Sequence, residues 1–225
     1  MARQKEEPDF EQLTVFPLFR GISALELSAM FGCLDTRRKS YEKGDFIFRR
    51  GDATDVLGLV LGGRVRIERV DVWGNTSVMG QAGPGAVFAE VFAVLPDEPM
   101  RVDVIAEVPC ELLFLNVKRA LSPCAKACPQ HARLAGNLVR TMARKNLGLS
   151  EKIACQAPRT IRGKLLVYLS TQAQAAGTRE FDIPFDRQQL ADYLGVDRSA
   201  LSAELGRMRD DGLLETHRSH FVFLG

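Results

Sequence analysis

The chain has 225 residues, of which 46 % are hydrophobic and 26 % are charged. This composition is typical of a globular protein with a hydrophobic core, and the length is sufficient for two domains. No apolar run approaches the roughly 18 residues that a membrane-spanning helix needs, and the charged N-terminus does not have the pattern of a signal peptide. We therefore expect a cytoplasmic protein with no membrane segment.

The charges are distributed unevenly although the net charge is only +2. Residues 1–132 contain 16 Lys and Arg against 18 Asp and Glu, whereas residues 133–225 contain 14 against 10. A slightly acidic first part and a basic second part favour a sensor joined to a nucleic-acid-binding domain. With three histidines and no Gly-rich nucleotide loop that ends in Lys-Ser/Thr, the chain has little material for an active site, so we do not expect an enzyme.

The pattern of residues 9–35 predicts short helices. Apolar residues recur at helical spacing in Phe10 and Leu13 and again in Leu27 and Met30. Ser23 is a typical N-cap for the second of these helices.

From Arg37 to about Leu115 the apolar period changes from helical to two. Short runs rich in Val, Ile and Leu alternate with turn signals such as Gly62-Gly63 and Gly83-Pro84-Gly85. Short strands at spacings of roughly 8–12 residues predict an antiparallel barrel or sandwich.

A single long helix is predicted from Pro129 to about Cys155. Pro129 suits its first turn, and Pro158 ends the pattern. An apolar stripe on a helix of about 40 Å needs a partner, and the simplest partner is the same helix of a second subunit. The predicted dimer interface consists of Leu134, Leu138, Met142, Leu149 and Ile153. Packing of this helix on its own domain alone is the alternative.

Residues 185–214 have the pattern of a helix-turn-helix. Asp186 can cap a first helix, and the small Ala191 allows a second helix to cross closely. Gly195 lies where the tight turn needs a positive φ. Asp197 can cap the second helix, whose buried stripe is predicted at Leu201, Leu205 and Met208, and the run Phe221–Leu224 completes a hairpin wing.

Several motifs together resemble the cyclic AMP receptor protein/FNR family of bacterial transcription regulators. Residues 41–52 and 59–67 are similar to the first strands of its β-roll, residues 83–90 to its phosphate-binding segment, and residues 187–198 to its helix-turn-helix. The resemblance covers almost the whole chain. It implies a homodimer that binds double-stranded DNA with two-fold-related half-sites and that contacts RNA polymerase.

The effector segment departs from the cyclic-AMP-binding members of that family. Glu90 is present, but Ala89 replaces the family's Gly, and Met100-Arg101 stands where an Arg-Ser pair grips the cyclic phosphate. Arg101 is a displaced cation, and a shift of one residue on a strand turns a side chain to the opposite face. We therefore expect a small effector other than cyclic AMP, in a pocket formed by Phe88, Ala89, Glu90, Met100, Arg101 and Leu149.

The predicted DNA contacts centre on Arg198, because arginine to guanine O6/N7 is the commonest specific base contact. Ser199 and Ser202 can reach bases or phosphates, and Arg187 and Gln188 should hold the phosphate backbone. The predicted DNA-binding residues are Arg187, Gln188, Asp197, Arg198, Ser199, Ser202, His217 and Arg218.

Cys124, Cys128 and His131 are spaced to share one helical face if a helix runs through Pro129. Thiolate and imidazole ligands suit zinc, haem iron or part of an iron–sulfur cluster. The alternative is that these are half-buried residues at the entrance to the long helix, since three ligands do not close a structural site. We name no cofactor, and Cys33, Cys110 and Cys155 are interpreted as packing residues.

The sequence thus predicts an α+β protein with an N-terminal antiparallel β-roll or jelly roll of the cyclic-nucleotide-binding type at 1–128, a dimerisation helix at 129–157 and a winged helix-turn-helix at 158–225. The predicted function is sequence-specific transcription regulation, with DNA affinity controlled by an effector or a redox signal at the β-roll. The alternatives are a haem, metal or thiol redox sensor of the same fold, and a sensory module whose winged helix binds protein. Cys155–Arg162 and Asp182–Asp186 are the candidate hinges.

Overall fold

The structure is a computed structural model that describes residues 9–95, 97–122 and 128–224. The chain forms two compact units, one that ends at Met142 and one that begins at Ala143. The division falls inside the long helix that the sequence predicts.

The first unit begins with short helices that are held by local caps. Helix α1 (Phe10–Thr14) is followed by a 3-10 helix (Pro17–Phe19) and by helix α2 (Ala24–Leu34). Ser23 and Glu26 form a capping box at the start of α2, since each side chain accepts a hydrogen bond from the other residue's backbone N–H. The predicted cap is confirmed.

Two four-stranded antiparallel sheets make up the β-roll. One sheet has the strand order β1-β8-β3-β6 and the other has the order β2-β7-β4-β5. The strands are β1 (Arg37–Tyr41), β2 (Phe46–Phe48), β3 (Val56–Gly62), β4 (Val65–Val70), β5 (Thr76–Ala82), β6 (Val87–Phe88), β7 (Asp103–Ala106) and β8 (Cys110–Asn116). The change of period that the sequence shows between Arg37 and Leu115 therefore marks the extent of the roll.

Strand β3 is buried on both faces because it separates two cores. Leu57 and Leu59 pack with the N-terminal helices, and Val60 faces the interior of the roll. Strand β8 divides in the same way, with Leu113 on the helical side and Phe114 inside. Alternate side chains of a strand point to opposite faces, so a strand between two cores is a continuous apolar run.

Aromatic rings pack against each other in the interior of the roll. Phe48, Phe88 and Phe114 make mutual edge-on contacts with centroids 5.9–6.5 Å apart. A Cβ atom at Gly58 would come within 2.2 Å of the Phe88 ring. Glycine is therefore required at this position of β3, because the ring occupies the space of a side chain.

Two short helices flank strands β7 and β8. Helix α3 (Glu90–Val94) was not predicted, and its preceding residue Ala89 has a left-handed conformation with φ 61°. Helix α4 (Val117–Leu121) is capped by Asn116 and directly follows the last strand of the roll.

Helix α5 extends from Pro129 to Gln156, close to the predicted bounds. Leu134 and Leu138, predicted to face a second subunit, instead lie in the core of the first unit with exposed fractions of 1 % and 2 %. A side chain already covered by its own domain adds no area to an interface. Leu149 and Ile153 are 62 % and 68 % exposed, and Met142 is half-buried.

The second unit contains the last turns of α5 and a small winged domain. Its elements are α6 (Ile161–Ala176), β9 (Glu180–Asp182), α7 (Arg187–Leu194), α8 (Arg198–Asp210), β10 (Leu214–His217) and β11 (His220–Phe223). The strands form an antiparallel sheet of order β10-β11-β9, of which β9 was not predicted. Among the described residues, no helix is both long enough and apolar enough to cross a membrane.

Candidate nucleic-acid interface

The first helix of the helix-turn-helix, α7, is fixed at both ends by local hydrogen bonds. Asp186 and Gln189 form a capping box at its start. Gly195 ends it at φ 62°, and its N–H donates to the carbonyls of Ala191 and Asp192. A left-handed residue at this point favours glycine, so the predicted turn is confirmed.

The second helix, α8, has an apolar face inside and a polar first turn outside. Asp197 accepts a hydrogen bond from the N–H of Ala200 at 2.8 Å and caps the helix. The predicted stripe is buried, with exposed fractions of 0–3 % at Leu201, Leu205 and Met208. This packing leaves Arg198 and Ser199 exposed at the N-terminal end.

The predicted wing is confirmed as a tight hairpin of β10 and β11. His217 and His220 are paired across its end, and Arg218 occupies the turn with φ 53°. This conformation is uncommon for a residue with a Cβ atom, and it puts the exposed Arg218 at the tip of the wing.

A concavity of about 650 Å³ brings the predicted contacts from both helices and the wing together. Three arginines line it, namely Arg187 from α7, Arg198 from α8 and Arg218 from the wing. In the described parts of the chain, the guanidinium groups of Arg198 and Arg218 have no hydrogen-bond or ion-pair partner. The concavity therefore has these two guanidinium groups in its lining, together with the carboxylate of Asp186.

Arg187 is less available than the sequence suggests. Its Nη2 donates a hydrogen bond to Thr216 Oγ1 at 2.8 Å, and its guanidinium lies 5.2 Å from the centroid of the Phe221 ring. Burial lowers the pKa of this guanidinium, and within the described residues its buried Nη1 has no hydrogen-bond partner. Arg187 thus ties α7 to the wing in addition to any phosphate contact.

Other predicted contacts also have structural roles. The Gln188 side chain donates to Asp192 Oδ1 at 2.8 Å, and the Ser202 hydroxyl donates to the carbonyl of Arg198 at 3.0 Å. Asp197 acts as the cap of α8, while His217 is exposed on β10. Thr216 was not predicted as part of the site, because only the pairing of β10 with β11 places it beside α7.

Most of the predicted effector residues in the roll are buried. Phe88 and Met100 are each 1 % exposed within the interior cluster, and Ala89 and Glu90 are also buried. Arg101 is exposed and forms an ion pair with Glu98. A cyclic phosphate needs a cation with charge-assisted hydrogen bonds, and the interior position is occupied by a thioether chain instead. The sixth residue, Leu149, is an exposed residue of the second unit.

The candidate metal ligands are only partly visible, because Cys124 lies outside the described residues. Cys128 is half-buried, and His131 is buried with an Nδ1 that has no hydrogen-bond partner among the described residues. Within these residues, no group of three or more His, Cys, Asp or Glu could hold a metal ion.

The isolated cysteines differ in their surroundings. Cys110 and Cys155 are buried, as a packing role requires, whereas Cys33 is only half-buried. Burial, followed by the charge of Asp45, raises the pKa of the Cys110 thiol. Burial, followed by the charge of Glu151, raises the pKa of the Cys155 thiol. A raised pKa keeps both thiols protonated and poorly reactive.

Comparison with known proteins identifies two domains. A family model described as a cyclic nucleotide-binding domain matches residues 38–126, and one described as a Crp-like helix-turn-helix domain matches residues 163–224. The first match covers the β-roll and the second covers the winged domain.

Curated relatives match along most of the chain. The chain is 27 % identical over 198 residues to the cyclic AMP receptor protein of Thermus thermophilus, which covers 88 % of each protein. It is 22 % identical over 213 residues to electron transport regulator A of Shewanella oneidensis, covering 90 % of this chain and 80 % of the relative. It is 26 % identical over 187 residues to the transcriptional activator protein FnrA of Stutzerimonas stutzeri, covering 80 % and 73 %.

Solved structures support the same fold. CprK complexed with OCPA is similar with a TM-score of 0.64 at 12 % identity, covering 89 % of this chain and 91 % of that structure. The c-di-GMP responsive global regulator CLP of Xanthomonas campestris is similar with a TM-score of 0.54 at 20 % identity, covering 84 % and 94 %. At these identities the similarity concerns the fold alone.

Proposed function

We propose a mode of action for this chain, which belongs to the Crp/Fnr family of transcription regulators: it binds duplex DNA with sequence specificity by placing the first turn of α8 in the major groove. One observation carries this proposal. Arg198 and Ser199 are exposed on a helix whose other face is fully packed, beside a concavity that Arg187 and Arg218 also line. A recognition helix meets base edges with its N-terminal residues.

The residues divide by what they can recognise. The Arg198 guanidinium can donate two parallel hydrogen bonds to a guanine edge, and Ser199 lies next to it for a second base or a phosphate. Arg218 at the wing tip and Gln188 at the start of α7 suit phosphate oxygens, which set the orientation of the protein without specifying sequence. Arg198 is therefore the residue on which specificity depends.

We infer that the protein acts as a homodimer on two-fold-related half-sites. From Ala143 to Glu151 every residue of α5 is exposed, and the exposed apolar residues Leu149 and Ile153 lie on the same side of the helix. A helical segment without packing gains little stability from its own hydrogen bonds, so a second copy of the helix is the natural cover for it. RNA polymerase is the further partner that the family resemblance implies.

We also infer that DNA affinity is controlled through the first unit by a signal other than cyclic AMP. The match to a cyclic nucleotide-binding domain supports a sensory role for the roll. The buried Met100 and the ion-paired Arg101 oppose a cyclic phosphate as the ligand. A redox signal at Cys128 and His131 is the alternative within this proposal, and a haem or iron–sulfur form of it would give a visible absorption band in protein purified without oxygen.

The Arg198→Ala variant tests the DNA-binding proposal. Sites are first selected from genomic DNA with the wild-type protein, and affinity is then measured by fluorescence anisotropy at fixed salt. Loss of a bidentate base contact costs about 1–3 kcal/mol at each half-site, so specific affinity for a site with two half-sites should fall about 30-fold or more. Affinity for unrelated DNA should change much less.

Arg209→Ala is the matched control, because Arg209 is an exposed arginine at the far end of the same helix. It removes the same charge and should retain most of the specificity. Equal losses in the two variants would show that charge alone matters and would contradict the proposal. Absence of steep weakening between 50 and 200 mM salt, expected when several phosphates are contacted, would favour a winged helix that binds protein.

A further inference from the structure

Arg162, which the proposed DNA contacts do not include, joins two helices of the second unit. It lies in the first turn of α6, next to Ile161. Its Nε lies 2.6 Å from Glu204 Oε1 in the middle of α8, and its Nη1 lies 2.7 Å from Asp211 Oδ2 at the C-cap of the same helix. One guanidinium therefore binds α8 at two points about two turns apart.

Glu204 is unusual for an acidic residue in a helix that meets DNA. Its side chain is only 11 % exposed, and both oxygens are engaged. Oε1 accepts from Arg162, and Oε2 accepts from Arg207 Nε at 2.9 Å within the same helix. These hydrogen bonds, the one from Arg162 first, lower the pKa of Glu204, so its carboxylate is charged at neutral pH.

Residues close to Arg162 in the sequence also contact α7, the first helix of the helix-turn-helix. Gln156 Nε2, at the end of α5, donates to the carbonyl of Tyr193 at 2.6 Å. Lys164 Nζ, in α6, donates to the carbonyl of Leu194 at 3.0 Å. The last carbonyls of a helix have no partner within it, and these two side chains supply partners at the end of α7.

We propose that Arg162 is a positioning residue for DNA binding, which sets the angle of α8 through its bonds to Glu204 and Asp211 without touching DNA itself. The inference rests on the proposed function, since it concerns the presentation of Arg198. Gln156 and Lys164 fix α7 from the same part of the chain. The end of α5 and the two helices of the motif consequently move as one body, and the Cys155–Arg162 segment acts as a rigid joint and not as the hinge predicted from sequence.

Two variants with opposite charge effects test this role. Arg162→Met removes a cation and keeps most of the side chain, whereas Glu204→Gln keeps the shape and makes the protein more positive. Electrostatics alone predicts that Arg162→Met weakens all DNA binding and that Glu204→Gln strengthens it. Positioning predicts that both variants lose specific affinity, by about tenfold for a lost pair of charged hydrogen bonds.

Affinities for the selected site and for unrelated DNA are measured across a salt series. In Arg162→Met the salt dependence and the affinity for unrelated DNA should remain close to those of the wild type. A slope smaller by about one, with equal losses on both DNAs, would identify a direct phosphate contact and overturn the proposal. Tighter specific binding by Glu204→Gln would also overturn it.

Arg207→Met is the matched control. It also removes an arginine that pairs with Glu204, but this arginine belongs to α8 itself, so no contact between helices is lost. It should retain specific affinity within about twofold of the wild type. A loss as large as that of Arg162→Met would refute the role of the link between helices.

Wild type and Arg198→Ala are measured in parallel, so that the two proposals can be distinguished. A wild type that does not bind DNA refutes the proposed function and this inference together. Normal binding by both the Arg162 and the Glu204 variants refutes this inference alone. Thermal unfolding confirms that each variant is folded at the assay temperature.

Discussion

In the β-roll, Phe88 and Met100 are 1 % exposed, whereas in the winged domain Gln188, Arg198 and Arg218 lie open to solvent. Both regions have a buried apolar core, but most of the candidate functional side chains are exposed to solvent only in the winged domain. A surface that reads a macromolecule can be assembled from exposed side chains on packed helices. A site for a small molecule needs an interior volume lined by a few polar groups, whereas Phe48, Phe88 and Phe114 pack edge-on against each other inside this roll.

The difference shows that a chain can keep the fold of its family without keeping every residue that contacts a ligand. The helix-turn-helix keeps its frame and its leading arginine, so a role in DNA binding follows from residues that are present. The roll keeps its strands and turns but replaces the phosphate-binding pair by Met100 and Arg101. A cyclic nucleotide-binding domain is therefore present although Met100 and Arg101 stand where the family resemblance implies a phosphate-binding pair.

The largest effect is expected from separating the two subunits of the proposed dimer. This experiment tests whether the exposed DNA-binding surface of the winged domain needs a second copy. Leu149→Glu combined with Ile153→Glu places charges on two exposed apolar positions of α5. If a second copy covers them, the variant should be monomeric by analytical ultracentrifugation. Affinity for a two-fold DNA site should fall about 100-fold, since linked half-sites gain that much from effective concentration.

Leu147→Glu is the control for that experiment. Leu147 is 63 % exposed but lies on nearly the opposite side of the helix from Leu149. It should leave the dimer and its DNA affinity intact. Dissociation by Leu147→Glu, or a dimer that persists in the double variant, would show that the interface lies elsewhere.

A smaller effect, on stability, tests whether the interior of the roll is as full as the aromatic contacts indicate. Gly58→Ala forces a methyl group against the buried Phe88 ring and should lower the free energy of unfolding by about 1–3 kcal/mol in urea denaturation. Gly62→Ala, in the same strand, meets no atom within 4 Å and should change stability little. If Gly58→Ala is as stable as the wild type, the interior has spare volume and the contrast between the two regions is lost.

The smallest effect is expected from cyclic AMP. A ligand at 100 times its dissociation constant stabilises a protein by about 2.7 kcal/mol, which a thermal unfolding experiment detects easily. With Met100 in place of a phosphate-binding cation, millimolar cyclic AMP should leave the unfolding temperature and the DNA affinity unchanged. A clear upward shift would show that the roll opens for a nucleotide, and it would reverse the inference about the signal.

Much of the architecture could be predicted from sequence because it depends on local signals. Ser23, Asp186 and Asp197 were identified as caps, and each accepts the expected backbone hydrogen bond. Gly195 was assigned to the turn because its position needs a positive φ. Helix α3 and strand β9 were missed, since α3 is a single turn after a left-handed Ala89 and β9 is defined only by pairing with β11.

The site was harder to predict where contacts join distant residues. Exposure of Arg198 followed from helical period alone. The bond from Arg187 to Thr216 and the ion pair of Arg162 with Glu204 span 29 and 42 residues, and no spacing rule brings such residues together. Leu134 and Leu138 were assigned to a dimer because an apolar stripe does not reveal which neighbour covers it, and the N-terminal helices and the roll cover these two.

Strands β3 and β8 each contribute side chains to two separate clusters, one beneath the N-terminal helices and one inside the roll. A helical layer that peeled away would leave Leu59 and Leu113 in water on strands whose other face is still packed. Neither cluster can therefore melt while the other remains whole, and heat or denaturant should disrupt both in one cooperative transition. Any signal that weakens the packing of the N-terminal helices around Leu134 and Leu138 should therefore also destabilise the two sheets.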